Sequence, residues 1–387
     1  MDLDCLDIIV TNECNLRCSY CDIPQTHLHD RNTFIAKESA FAAIDNFMKT
    51  ESRKVTIHFF GGEPLLNFPL IKEISEYGVK KAKKSSKKLT LSIATNGILL
   101  SNEVIEYLIK SDFDILFSID GYEDSHNPNR PFANKKNSFE VVRRNAELLI
   151  KKLKRKEKIL GRATLTTNAL NLWKIVTALS EIGFKYIQVE PAVAPESSPS
   201  VIKEENLPII KDNLINFANN YAELFKTQKE PFVFLPIGYF IYNIVSRSFK
   251  NYMCEYAKTS LVVNTDGKLY PCYRFTNISA IGSEISEMHS SEKLQPFRDC
   301  TSDTIKRCDR CWLKYYCGGT CYHHSYIYNN DIYSPYTLDC KYIEELFKIS
   351  ILTYSLLGKD NISKFINSLD IFYNRNNKNL WNIMSGK

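Results

Sequence analysis

Residues 5–21 read CLDIIVTNECNLRCSYC, a short apolar run that opens into three cysteines spaced C-x3-C-x2-C: Cys14, Cys18 and Cys21. The run at 6–11 has the length and the β-branched content of a strand, so the cysteines fall in the loop that follows it. Three thiols from one compact loop are one short of a closed structural zinc site. A four-iron cluster held by three thiolates keeps one iron coordinatively open, which a catalytic site requires and a structural one avoids. Spacing alone also admits a zinc loop or three unrelated buried cysteines.

Outward from this loop the pattern repeats. Strand-like runs at 6–11, 55–60, 89–95, 113–119, 159–166 and 185–190 alternate with helical patterns at 37–49, 69–84, 102–111, 138–154 and 170–182. Six such units in series predict an α/β fold with a parallel sheet, closed or partly closed, a partial (β/α)6 TIM-like barrel. Ligands of such barrels sit in the loops after the strands' carboxyl ends, and the motifs fall there. The cysteine loop follows the first strand, Gly61-Gly62-Glu63-Pro64 the second and Thr95-Asn96-Gly97 the third, while Ser118-Ile119-Asp120-Gly121 closes the fourth. Glycines let backbone approach a ligand closely, and a carboxylate pairs with an ammonium. By itself GGEP also reads as a tight turn.

The chain has 387 residues, enough for one large domain and a smaller one. Its net charge of +6 is concentrated in KKAKKSSKK (80–88) and KKLKRKEK (151–158). Both runs fall at helix ends, where cations are favourable, and neither interleaves aromatic residues to stack bases; no nucleic-acid partner is expected. The N-terminus lacks the pattern of a signal peptide and no apolar run is long enough to span a bilayer, which points to a cytoplasmic protein without a membrane partner. Twelve cysteines in a reducing compartment favour metal over disulfides. Most of them follow residue 250: Cys254, Cys272, Cys308, Cys311, Cys317, Cys321 and Cys340, with Cys300 among them. The tight four from Cys308 to Cys321 would suit a zinc ribbon as well. The expected organisation is a barrel over 1–226, a bridging region over 227–253, a cysteine-rich domain over 254–345 and a helical tail over 346–387 with a frayed Asn/Lys-rich end. The apolar aromatic run PFVFLPIGYFIYN (231–243) reads as core capping the barrel, with a peptide groove as the alternative.

The cysteine triplet, the adjacent Tyr20 and GGEP after the next strand resemble the radical S-adenosylmethionine (SAM) superfamily. That resemblance implies an iron–sulfur cluster on Cys14, Cys18 and Cys21 whose open iron chelates SAM. Reductive cleavage then gives a deoxyadenosyl radical that abstracts hydrogen from substrate. It also implies that Gly61, Gly62, Glu63 and Pro64 hold the SAM amino group, that Ser118 and Asp120 meet the ribose hydroxyls, and that Arg162 faces the carboxylate. For Arg162 a surface strand arginine is the alternative. The later cysteines resemble a SPASM domain, the twin-cluster extension of peptide- and protein-modifying members, and the two likenesses together span about residues 5–345. This implies an outer cluster on Cys308, Cys311, Cys317 and Cys340 and an inner one on Cys254, Cys272 and Cys321. With SAM the expected cofactors are therefore three 4Fe–4S clusters. A fourth inner ligand found in some members is missing from EYAKTS (255–260), so the inner cluster has an open iron or is completed by Cys300 or a non-cysteine group.

Anaerobic sulfatase-maturating enzymes share this layout, with an aspartate as proton acceptor directly after the cysteine matching Cys272. Here Tyr273 stands there, and a phenol accepts a proton only with a strongly lowered pKa. The strings around Cys272 and Cys321 resemble maturases of ribosomally made peptides. The expected activity is thus hydrogen abstraction from a precursor peptide, leader plus core, ending in an oxidative cross-link. A C–C cyclophane is favoured, with thioether or ether linkages, sulfatase maturation and epimerisation as alternatives. For epimerisation, Cys300 is the leftover candidate hydrogen donor. The expected partner for electrons is a reductant such as flavodoxin or ferredoxin; since the first strand begins by residue 6, leader binding is expected to use another surface, a separate leader-binding protein or the 191–250 region. His126 is placed either on the substrate side of the barrel or in a plain loop. His323 and His324 are placed beside the inner cluster or in solvent.

Overall fold

The computed structural model describes residues 2–21, 33–194, 198–228 and 230–375. Strand β1 (Cys5–Thr11) is followed by α1 (Lys37–Phe47), β2 (Lys54–Gly61), α2 (Phe68–Lys84), β3 (Lys88–Thr95), α3 (Asn102–Lys110), β4 (Asp114–Ser118), the single turn α4 (Glu123–His126), α5 (Phe139–Lys152), β5 (Ile159–Leu165), α6 (Leu172–Ile182), β6 (Tyr186–Pro191) and α7 (Leu207–Thr227). Local chemistry marks the ends. Ser101 Oγ accepts from Val104 N–H at the start of α3, Asn67 caps α2 ahead of Pro69, and Gly183 closes α6 in the left-handed region. The cation runs are helix ends as expected: Lys81, Lys83 and Lys84 occupy the last turn of α2, and Lys151 and Lys152 that of α5.

Strands β1 to β6 pair in parallel in chain order, each with the next. One face of the sheet packs Ile8, Ile57, Phe59, Ile93 and Phe117 against Ile44, Ile71, Ile105 and Val142 of the helices. The barrel does not stop at six strands. The run at 231–243 forms β7 (Val233–Phe234), which pairs with β6, and α8 (Leu235–Ser246). Phe232, Phe234, Ile237, Phe240 and Ile241 are buried there, each worth roughly 1.5–3 kcal/mol of apolar burial. The capping-core reading of this run holds, and the groove reading does not.

The cysteine-rich segment is continuous with the barrel. It contributes β8 (Ser260–Val263), β9 (Lys268–Tyr270), β10 (Ser283–Glu284), α9 (Gln295–Asp299), α10 (Lys314–Cys317) and α11 (Tyr322–Asn329). β8 adds in parallel to the free edge of β1, from Cys5 opposite Ser260 to Ile8 opposite Val263, and β9 and β10 extend it antiparallel. Ile9 of β1 packs with Tyr256, Val262, Cys272, Tyr273 and Phe275 in a second core. The chain then closes with α12 (Thr337–Arg375), broken at Gly358 (φ 69°, ψ 169°), which packs on α7 and α8. The end expected to fray lies outside the described residues. Among the described residues no helix is long and apolar enough to cross a membrane.

Candidate active site at the strand ends

The double glycine is a steric requirement of the cysteine loop. A Cβ on Gly61 (φ 135°) would lie 2.2 Å from Thr11 O, and one on Gly62 only 2.1 Å from Glu13 O. The end of β2 therefore presses directly on the loop, with Gly62 N–H donating to Thr11 O and Glu63 N–H to Glu13 O, both at 2.8 Å. Within the loop Cys14 Sγ accepts from Leu16 N–H at 3.4 Å and from Asn96 Nδ2 at 3.6 Å, and Cys21 N–H donates to Cys18 O at 3.2 Å. Burial pushes the Cys14 and Cys18 thiols up to about 12, so deprotonating them needs a compensating cation, which a metal supplies.

All three cysteines line one cavity, together with Gly61, Gly62, Ser118 and Arg162. Three thiols on one wall, with space beside them and a hydroxyl and a guanidinium from β4 and β5, fit a cluster with an open iron and a ligand bearing hydroxyls and a carboxylate. Three of the sequence-predicted residues are placed differently. Glu63 and Pro64 are not among the lining residues. Glu63 is fully buried and accepts from Leu65 N–H (3.1 Å), Thr95 Oγ1 (2.9 Å) and Asn96 N–H (2.8 Å). Burial raises its carboxyl to about 7 against those three donors. Its carboxylate thus ties the β2 and β3 loops together. Asp120 also turns away from the cavity: Tyr20 OH donates to its Oδ2 at 2.5 Å, Arg130 Nε pairs with the same oxygen at 3.0 Å, and Thr164 N–H donates to Oδ1 at 2.9 Å. Of the expected ribose pair, Ser118 alone faces the cavity.

Asn96, of the Thr95-Asn96-Gly97 motif, Arg130 and Arg274 also line the cavity, and so does Glu190, to which the sequence assigned no role. Glu190, near the end of β6 and held by Gln188 Nε2 at 3.0 Å, is the one carboxylate lining the cavity among the described residues. Its signal was its position, since it stands at a strand's carboxyl end like the motifs that were recognised. His126 is fully buried, accepting from Asp120 N–H at 3.2 Å and meeting Ser138 Oγ at 3.0 Å, with burial lowering it to about 4. It is a core histidine of its loop.

The C-terminal thiols form two groups. Cys254, Cys272 and Cys321 are buried; after burial itself, the charge of neighbouring thiols is what disfavours ionising Cys254, and Cys321 acts likewise on Cys272. Cys308, Cys311 and Cys340 are linked in the same way. Cys317 turns its thiol onto Gly319 O at 2.7 Å. Cys300 donates to Ile332 O at 3.7 Å, and its charged neighbours are Lys258, Asp331 and Cys308. Among the described residues no three His, Cys, Asp or Glu side chains converge on a single-ion site. His324 Nδ1 meets Asp339 Oδ2 at 2.6 Å, and His323 packs its edge on Phe275. Tyr273 and Arg274 join the inner group to the cavity. Tyr273 follows Cys272 and lines the cavity 4.6 Å from the Phe60 ring, while Arg274 donates from Nε to Tyr273 OH (3.0 Å) and reaches Cys321 Sγ at 3.9 Å.

The family model of the Radical SAM superfamily matches residues 8–161, and that of an iron–sulfur cluster-binding domain, SPASM, matches 254–312. A cysteine-type anaerobic sulfatase-maturating enzyme of Clostridium novyi is 23% identical over 78% of this chain and 83% of its own. A radical SAM cyclopropyl synthase, TigE, of Paramaledivibacter caminithermalis is 29% identical over 31% of this chain, a match that spans only 28% of that relative. Among solved structures, anSMEcpe with bound AdoMet superposes with a TM-score of 0.79 at 21% identity, covering 95% of this chain and 98% of that one. Streptococcus suis SuiB bound to precursor peptide SuiA gives 0.59 at 16% identity, covering 84% and 72%. At these identities the two structures speak for the fold.

Proposed function

We propose a substrate and an outcome for what is a radical SAM enzyme with a SPASM domain: it acts on a ribosomally made precursor peptide, leader plus core, and joins two of its side chains oxidatively. A C–C cyclophane bond is favoured, with thioether and ether links as variants. When bound, SAM and the cluster with the open iron supply one-electron cleavage and hydrogen abstraction from the substrate. Cys14, Cys18 and Cys21 hold that cluster, Gly61 and Gly62 bring backbone to the cavity wall, and Ser118 and Arg162 orient the ribose and carboxylate of SAM. Cys254, Cys272 and Cys321, with Cys308, Cys311, Cys317 and Cys340, hold the two auxiliary clusters that take the electron a cross-link releases. The proton released with it goes to Glu190, the carboxylate near the end of β6 that lines the same cavity as the cysteine loop.

The observation that carries the reading is the residue after Cys272. Tyr273 lines the cavity with its hydroxyl held by Arg274, where the sulfatase-maturating pattern expects an aspartate. A phenol, ordinarily protonated at neutral pH, is a poorer proton acceptor than a carboxylate in that position. Sulfatase maturation stays the second reading because the relative of that name matches most of this chain. Epimerisation is disfavoured by Cys300, whose sulfur is turned toward Ile332 O. SuiB, by its description, binds a precursor peptide, and a peptide substrate here draws on that likeness; a flavodoxin- or ferredoxin-type reductant and a separate leader-binding protein are further parts of the proposal. The test is co-expression with the short reading frames beside the gene, followed by mass spectrometry. Loss of two hydrogens from a peptide supports a cross-link. Formylglycine in a neighbouring sulfatase supports the second reading, and unchanged mass with altered chirality supports an epimerase.

A further inference from the structure

Arg130 is a cation that the steps above do not use. It lies in the loop between α4 and α5, is 8% exposed, and still lines the cavity. Its Nε is 3.0 Å from Asp120 Oδ2, its Nη1 is 4.0 Å from Cys18 Sγ, and its guanidinium carbon is 5.3 Å from the centre of the Tyr20 ring. The carboxylate that anchors it is itself immobilised by Tyr20 OH and Thr164 N–H. Its backbone is equally fixed: Arg130 N–H donates to His126 O at 2.8 Å and Ser138 Oγ donates to Arg130 O at 2.5 Å. On either side of it the cysteine loop is sewn to the same segment, Ser19 N–H to Asn129 O at 2.9 Å and Arg17 N–H to Pro131 O at 2.8 Å. A fixed guanidinium therefore sits against one cysteine of the triplet, with its counter-ion behind it.

We propose that Arg130 is a positioning residue that holds a permanent positive charge against Cys18 and thereby raises the reduction potential of the cluster on Cys14, Cys18 and Cys21. The potential of such clusters is set by net charge, hydrogen bonds to sulfur and solvent exposure. Reduction adds one negative charge, and a nearby cation that cannot lose its proton stabilises the reduced form. The guanidinium stands between Asp120 and the sulfur, its Nε on the carboxylate and its Nη1 toward Cys18. This inference needs the SAM-cleaving cluster and is independent of which peptide, if any, is modified.

The test is a redox titration of the anaerobically reconstituted full-length enzyme, following by electron paramagnetic resonance the one cluster signal that changes on adding SAM. At a fixed potential near the wild-type midpoint, R130Q lowers the reduced-to-oxidised ratio of that cluster about tenfold, a shift of about 59 mV for one electron. R130K recovers most of the ratio, and D120N, which removes the opposing charge, moves it the other way. Iron content and SAM affinity stay within about twofold. An unchanged ratio in R130Q overturns the proposal. So does tenfold weaker SAM binding at an unchanged ratio, which would place Arg130 on the SAM carboxylate. Loss of iron in both R130Q and R130K would make it a structural clamp and overturn the proposal too. If R130Q alone loses iron, the direction of the D120N shift decides.

Discussion

The two cysteine triplets nearest the cavity are built in opposite ways. Cys14, Cys18 and Cys21 come from one short loop and remain partly or fully exposed at an open wall, whereas Cys254, Cys272 and Cys321 come from three separate segments and are all buried. The first is assembled by local spacing and by the glycines that let β2 lean on it. The second exists only after β8 has paired with β1 and α11 has packed behind it. A local loop can present a metal with a vacant position to a ligand, while a group gathered by the fold encloses its metal and is suited to passing electrons. Tyr273 and Arg274 connect the two regions, and experiments on either side of that dipeptide separate their roles.

The largest separation is expected from removing the inner group. Replacing Cys254, Cys272 and Cys321 with Ala should cost about four irons per chain and abolish the modified peptide, while deoxyadenosine formation from SAM continues. Iron analysis and chromatography of the two products measure this, with circular dichroism confirming that the chain is folded. A smaller effect is expected on the cavity wall. Glu190→Gln should slow peptide modification about a hundredfold, the usual worth of a general base, and leave SAM cleavage within about twofold. Equal losses in both would assign Glu190 to SAM binding.

The smallest effect concerns the packing beneath the first triplet. Burial raises the Glu63 carboxyl from 4.5 to about 7 and that of Asp7 from 3.8 to about 7. Between the ordinary and the raised values the folded chain keeps protons that the unfolded chain has lost, so stability falls as pH rises toward and through 7. The apo chain should therefore melt lower at pH 8 than at pH 6, by on the order of 1 kcal/mol per group. Glu63→Gln should remove its share of that slope in thermal melts at the two pH values.

Much of the fold and half of the site could be read directly from residues. Short apolar, β-branched runs located β1 to β6, and the rule that ligands sit after strand ends pointed to Cys14, Cys18, Cys21, Gly61, Gly62 and Ser118, while Arg162, inside β5, came from the family resemblance; all seven line one cavity. What could not be read was how a side chain's hydrogen-bonding capacity is spent. Asp120 is claimed by Arg130, ten residues later, and by the backbone of Thr164 on the next strand. Glu63 is claimed by the loop after β3. Thr164 and the end of β3 become neighbours of these carboxylates only through parallel pairing, which motif spacing does not encode. The same holds for β8: a four-residue strand inside a cysteine-rich stretch has too little pattern to announce itself, and its place on the edge of β1 follows from tertiary packing.

The central claim is that Cys14, Cys18 and Cys21 hold the cluster that cleaves SAM. Its most direct test is deoxyadenosine formation by the reconstituted, reduced enzyme and by the variant with all three cysteines replaced by Ala. The account predicts deoxyadenosine from the wild type and none from the variant, which keeps its auxiliary iron. Deoxyadenosine from the variant at the wild-type rate would contradict it.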